Sequence, residues 1–113
     1  MFRRLSMTIG AVLLMASTAY ADPIEGNWKT QAGPTAAIKA CGGSFCIVMK
    51  TGNYVGKQIG TFRSSGDGKY SGTITDPKDD RTYSGSARLS GARLDMTGCA
   101  LKIFCKTQVW SKL

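Results

Sequence analysis

The sequence contains no histidine, the side chain that serves most often as a general base and as a metal ligand in proteins. This absence excludes a serine hydrolase triad, a cysteine–histidine nucleophile pair and a histidine-ligated zinc site. The one acidic cluster, Asp76, Asp79 and Asp80, is typical of a turn, because aspartate caps its own turn and Pro77 fixes φ. We therefore expect no catalytic residue, no metal site and no cofactor, and we interpret the protein as not an enzyme.

Long apolar segments are missing as well, apart from one near the N-terminus. Residues 9–16 form an apolar run that is too short to span a bilayer as a mature helix. Arg3 and Arg4 precede the run, and Ala19-Tyr20-Ala21 follows it as a small-x-small cleavage pattern. We therefore expect residues 1–21 to be a signal peptide that is removed before Asp22. The expected location is periplasmic or secreted, with no membrane span.

The remaining 92 residues, 22–113, have the length of one domain. Thirteen of them are glycine and 23 are large apolar residues, which predicts a thin core and many turns. The net charge of about +6 is spread along the chain without a run of three cations. Such charges are usually solvated, and their functional interpretation is attraction to anionic envelope polymers or to an acidic protein. We expect no nucleic-acid partner, because no aromatic-basic recognition motif is present.

Four cysteines remain in this domain, and in a small exported chain an even number predicts disulfides. Three pairings are possible. The crossed pairing 41–99 closes a longer loop and gives roughly 4 kcal/mol on the chain-entropy model, against roughly 2 kcal/mol for a short loop. Hairpin geometry instead favours the local pairs, because cysteines that flank a short turn face each other across two strands. We predict the pairs Cys41–Cys46 and Cys99–Cys105.

Alternation of inward and outward residues with period two recurs along 22–113, whereas no segment shows a sustained helical period. Glycine-rich and aspartate-rich turn signals separate the alternating segments. They predict eight strands, near residues 26–31, 35–41, 45–50, 57–63, 69–75, 81–89, 92–98 and 104–112. Because every connection is short, consecutive strands are expected to be antiparallel neighbours. The predicted fold is all-β: a single small up-and-down barrel of about eight short strands, stapled by disulfides.

Two motifs at the ends of the domain resemble those of lipocalin-like (calycin) barrels. Gly26-Asn27-Trp28 opens the first predicted strand, and Trp110 with Lys112 lies on the last. The resemblance implies that Trp28 closes one end of the barrel and that a basic residue lies across its indole ring. In these barrels the basic residue is an arginine or a lysine, and Lys112 takes that place here; lysine makes no planar stack on a ring. We expect Gly26, Trp28, Trp110 and Lys112 to form a structural barrel end.

A longer pattern resembles the small exported bacterial family known as domain of unknown function 2147. The matching segments are residues 22–30, 41–46, 75–77 with 81–85, and 98–110. They contain turn glycines, paired cysteines and aromatic residues. One departure is Ile47, where the family commonly has a glycine after the second cysteine. The resemblance implies export, β-structure and paired cysteines, and it implies no activity.

Two kinds of non-enzymatic binding remain open from the sequence. The first is a small apolar or amphipathic ligand held in or at the mouth of the barrel. The second is an envelope protein partner, such as a hydrolase to be inhibited, to which the Gly42–Phe45 loop is presented. The candidate contact residues are aromatic: Phe45, Tyr54, Tyr70 and Tyr83. An interior cavity favours the ligand, and a filled barrel with an apolar loop patch favours the protein partner. The oligomeric state stays open.

Overall fold

The computed structural model describes residues 21–101 and 103–113. Almost all of the predicted signal peptide, residues 1–20, lies outside this part of the chain. Within it the structure has eight strands and no helix. The strands are β1 (Gly26–Lys29), β2 (Thr35–Cys41), β3 (Ser44–Met49), β4 (Gln58–Gly66), β5 (Lys69–Asp76), β6 (Arg81–Ser90), β7 (Arg93–Ala100) and β8 (Phe104–Lys112).

The eight strands form a closed antiparallel barrel in sequence order, which confirms the predicted up-and-down topology. The barrel closes where β1 pairs with β8, through Trp28 with Lys112 and Lys29 with Ser111. This seam is short because β1 ends at Lys29, two residues before the predicted end at residue 31. A turn ends the strand there: the Thr30 amide donates to the Pro34 carbonyl at 3.0 Å.

The alternation of strand directions gives the barrel two different ends. The closed end carries the N-terminal segment 22–25 and the turns β2–β3, β4–β5 and β6–β7. The loop end carries the longer connections β1–β2, β3–β4, β5–β6 and β7–β8. Each hairpin therefore contributes to one end only, and residues of distant sequence meet around each rim.

The inward side chains form one apolar core. Its buried members are Ile24, Trp28, Ala36, Ile38, Ile47, Met49, Ile59, Phe62, Tyr70, Ala87, Leu94, Met96 and Trp110. The core residues of β5 and β6 alternate with exposed polar residues, as the period-two pattern predicts. The core thus occupies the inside of the barrel between the two ends.

Three inward glycines form a row beside Phe62, the buried phenylalanine of the core, and two of them leave room for it and its strand. Phe62 of β4 is followed around the wall by Gly72, Gly85 and Gly98 on the next three strands. A Cβ added to Gly85 would lie 2.9 Å from the Phe62 ring, and one added to Gly72 would lie 1.9 Å from the carbonyl oxygen of Thr61. The glycines therefore let the ring lie close against the backbone of its neighbours.

Both local disulfides are present, as predicted. Cys99 and Cys105 are direct cross-strand partners with a Cα–Cα distance of 4.1 Å. Cys41 instead pairs in register with Ser44, so its bond to Cys46 runs diagonally over a Cα–Cα distance of 5.8 Å. The reason is that the turn contains only residues 42–43, whereas four residues, 42–45, separate the two cysteines in the sequence. The two disulfides staple opposite ends of the barrel.

Candidate functional site

The closed end is built around Trp28, which is fully buried. Its indole Nε1 donates to the carbonyl oxygen of Ile24 at 2.9 Å. The Nζ of Lys112 lies 5.1 Å from the centroid of the indole ring. It also donates to the carbonyl oxygens of Pro23 and Glu25, at 2.8 and 2.7 Å. Lys112 therefore ties the last strand to the N-terminal segment while its cation faces the ring.

The N-terminal segment covers this end through a second set of bonds. The carboxylate of Asp22 accepts from the hydroxyl of Tyr70 and from the backbone amide of Ile24. Burial first, and then the bond and the charge of Asp22, raise the pKa of the Tyr70 hydroxyl well above its ordinary value. Ile24 itself is buried in the core. This end is a packed structural cap, and its polar groups are used in holding it shut.

The four predicted aromatic contact residues do not form one surface. Phe45 is half-buried and packs edge-to-face on Tyr70, with ring centroids 5.8 Å apart. The Gly42–Phe45 segment therefore does not present Phe45 to a partner as a projecting ring: its place in the alternation of β3 turns the ring inward, beside Ile47. Tyr83 is half-buried in β6, and Tyr54 is exposed in the β3–β4 loop. The pair Phe45 and Tyr70 lies towards the closed end, while the other two lie towards the loop end.

The most exposed apolar group lies in the β7–β8 connection at the loop end. Leu101, Ile103 and Phe104 have exposed fractions of 82, 73 and 65%. We call these three residues the apolar tip. They are not among the contact residues predicted from the sequence. The signal that identifies them is three large apolar side chains within the five residues that the second disulfide encloses.

The chain at the apolar tip is held in a tight turn. The Cys99–Cys105 bond closes it, and the amide of Ile103 donates to the carbonyl of Ala100 at 3.2 Å. Leu101 has a φ of +54°, in the left-handed region that a branched side chain rarely adopts. No glycine relaxes this turn. The fold thus holds a large apolar side chain at the outermost position of a constrained loop.

An open cleft of about 480 Å³ lies beside the apolar tip. The facing ends of β6 and β7 line it, with Tyr83 and Ser84 on one side and Ala100 and Leu101 on the other. Arg81 stands at its edge, 3.7 Å from the carboxylate of Asp79. The next loop around the rim is attached by an ion pair between Lys57 and Asp80. The loop end therefore combines an apolar projection, a neighbouring recess and a charged rim.

The described residues contain no group of three or more side chains able to hold a metal ion. In residues 21–101 and 103–113 there is also no helix with the length and apolarity needed to cross a bilayer. The two disulfides indicate a non-cytoplasmic location, because such bonds persist in oxidising compartments.

The fold and these two ends define a small, disulfide-stapled, eight-stranded antiparallel β-barrel protein. Residues 26–112 match the family described as "Uncharacterized protein conserved in bacteria (DUF2147)". The chain belongs to this family. Comparison with curated proteins and with solved structures gave no match.

Proposed function

We propose that this protein is an exported, non-enzymatic binding module that presents the apolar tip to a protein partner. The observation that carries the proposal is the exposure of Leu101, Ile103 and Phe104 on a loop closed by a disulfide. The buried centre of a protein interface is more apolar than its rim, and a few residues placed there supply most of the binding energy. A constrained loop loses little conformational entropy on binding, and this favours affinity.

The cleft beside the apolar tip supports a protein as the occupant. A partner that receives the tip also meets the recess between β6 and β7, with Arg81 at its edge. A matching partner has an apolar pocket for the tip and an acidic or hydrogen-bonding group for Arg81. Such a surface fits the envelope-interaction hypothesis made from the sequence, with Leu101, Ile103 and Phe104 taking the role first given to the Gly42–Phe45 loop.

The barrel interior argues for this proposal over a small apolar ligand. The ligand hypothesis needs interior room, and buried side chains such as Phe62 and Trp28 occupy the inside of the described barrel. Two concavities formed by the described residues are open clefts on the surface. A filled interior favours binding on the outer surface over binding inside the barrel.

We also propose that the barrel is of the lipocalin-like (calycin) type and that the mature protein is periplasmic or secreted. The position of Lys112 over Trp28, and the Gly26-x-Trp28 opening of β1, support the first point. The disulfides and the bacterial family support the second. N-terminal sequencing of the exported protein is expected to read Asp22 first. A mature chain that still begins at Met1 would contradict export by cleavage.

Site-specific crosslinking tests the partner. A photoreactive amino acid is placed at Ile103 and, in a control, at Leu113, which is 68% exposed at the C-terminus beyond β8. Crosslinking in the periplasm of the source bacterium is expected to give one defined product from position 103 that is absent from position 113. The purified partner must then bind the wild-type protein about tenfold or more tightly than Ile103→Ser. Equal products from both positions, or equal affinities, would refute the proposal.

A further inference from the structure

Three cations that are far apart in the sequence come together on the outer face of the barrel. Lys69 of β5 and Arg88 of β6 are direct cross-strand partners. Arg63 of β4 lies one row away, opposite Ser71. All three cations are exposed. Lys69 and Arg88 line a concave surface of about 560 Å³, and Arg63 lies beside it. We call this surface the basic groove; its other lining residues are Ser65, Tyr70, Ser86, Ala87, Asp95, Thr97 and Thr107.

The cations of the basic groove outnumber its one carboxylate, Asp95, which lies directly opposite Arg88 in the strand register. Like charges directly opposite each other on a sheet destabilise it, so the pairing of Lys69 with Arg88 has a cost. Within the described residues, neither of them nor Arg63 forms an ion pair. The one carboxylate in the groove, Asp95, is bound by Arg93 at 2.9 Å. The arrangement leaves a local excess of positive charge that an anionic ligand would neutralise.

The remaining outward groups of the groove are hydroxyls. Ser71, Ser86, Thr97 and Thr107 stand in one row across β5 to β8. The hydroxyls of Thr97 and Thr107 lie 2.8 Å apart, at hydrogen-bond distance, and each retains hydrogen-bonding capacity for a ligand. The apolar lining residues, Tyr70 and Ala87, are buried in the core and face inward. Lysine, arginine, serine and threonine are side chains that contact phosphate oxygens. A protein interface, in contrast, has an apolar centre, and the lining of the groove offers no exposed apolar side chain for one.

We propose that the basic groove binds a phosphate-bearing polyanion, through Lys69 and Arg88 with Arg63 beside them and with the row of hydroxyls as further donors. The site is distinct from the apolar tip and lies on the wall of the barrel rather than on its rim. Phosphate groups of a soluble polymer and of a lipid headgroup share this chemistry. A surface of this kind would hold an exported protein near phosphate-rich components of the bacterial envelope.

The test compares two double variants of equal charge. Lys69→Gln with Arg88→Gln removes the groove cations, and Lys39→Gln with Lys50→Gln removes two exposed cations from β2 and from the residue after β3. All four positions are exposed, and circular dichroism checks that each variant keeps its fold. The probes are inorganic polyphosphate and phosphatidylcholine vesicles that contain phosphatidylglycerol. Affinity is measured by titration over a range of salt concentrations.

Polyphosphate is expected to bind the wild-type protein with a marked salt dependence. In the groove variant the slope of log affinity against log salt should fall by about 2, one for each lost phosphate contact, while the control variant keeps most of it. Binding to polyphosphate but not to vesicles identifies a soluble polymer, and an equal loss on vesicles identifies a headgroup. An equal loss in both double variants, or unchanged binding in the groove variant, overturns the proposal. Ile103→Ser should bind polyphosphate like the wild type, which separates this result from the fate of the apolar tip.

Discussion

Truncation of Trp28 to alanine should remove a large share of the stability of the barrel. The indole is fully buried, and replacing a buried tryptophan by alanine costs about 3–5 kcal/mol. The value is expected in the upper part of that range, because the carbonyl of Ile24 loses its bond to Nε1 and Lys112 loses the ring beneath its cation. A single domain has roughly 5–15 kcal/mol in total, so Trp28→Ala should be near the limit of folding.

Urea denaturation followed by fluorescence of the remaining Trp110 measures this loss. Trp28→Phe is the matched variant, since it keeps an aromatic ring in the core and removes only the Nε1 bond and part of the volume. We expect it to cost about 1–2 kcal/mol. A loss under about 1 kcal/mol for Trp28→Ala would refute the assignment of Trp28 as the residue that closes this end of the barrel.

Two further predictions concern the core and the N-terminal cap. Gly72→Ala should lower the free energy of unfolding by about 3 kcal/mol or more in urea denaturation, because its Cβ would meet the Thr61 carbonyl at 1.9 Å. In the control Gly43→Ala the new Cβ meets nothing within 4 Å, and the change should be less than about 0.5 kcal/mol. Equal effects would show that the glycine row is not tightly packed. Because the pKa of Tyr70 is raised in the folded state, its contribution to stability is complete below pH 10.0, its ordinary pKa, and is lost as the pH rises further. Tyr70→Phe should therefore be less stable than the wild type at neutral pH, because it loses the hydrogen bond to Asp22. In parallel thermal melts this difference in stability should shrink above pH 10.0. A difference that does not change with pH would contradict the coupling of Tyr70 ionisation to stability.

Strand number, topology and disulfide pairing follow from local sequence signals in this protein. Turn residues and period-two alternation depend on neighbours within a few positions, and in a meander of short hairpins the neighbours in sequence are also the neighbours in space. The register of the β2–β3 hairpin at Cys41 could not be predicted from such local signals. Both a two-residue and a four-residue turn fit Gly42-Gly43-Ser44-Phe45, and the difference decides whether Phe45 packs inside or projects into solvent.

The candidate surfaces depended on information that the sequence holds only indirectly. The apolar tip has the same residue types as a core strand, and only the loop position of Leu101 and Ile103 makes them exposed. The basic groove combines Arg63, Lys69 and Arg88, which the sequence separates by up to 25 positions and which pairing of three strands brings together. These cations are scattered along the sequence, whereas the register of β4, β5 and β6 brings them together on one face of the barrel.

The most direct test of the proposed function uses Leu101→Gly and the partner identified by crosslinking at position 103. Glycine accepts the φ of +54° that strains leucine, so the variant should fold with unchanged or slightly higher stability while it loses an apolar side chain from the tip. Titration calorimetry with the purified partner is expected to show an affinity about tenfold or more below that of the wild type. An affinity equal to the wild type in a stably folded Leu101→Gly protein would show that the apolar tip is not the binding surface.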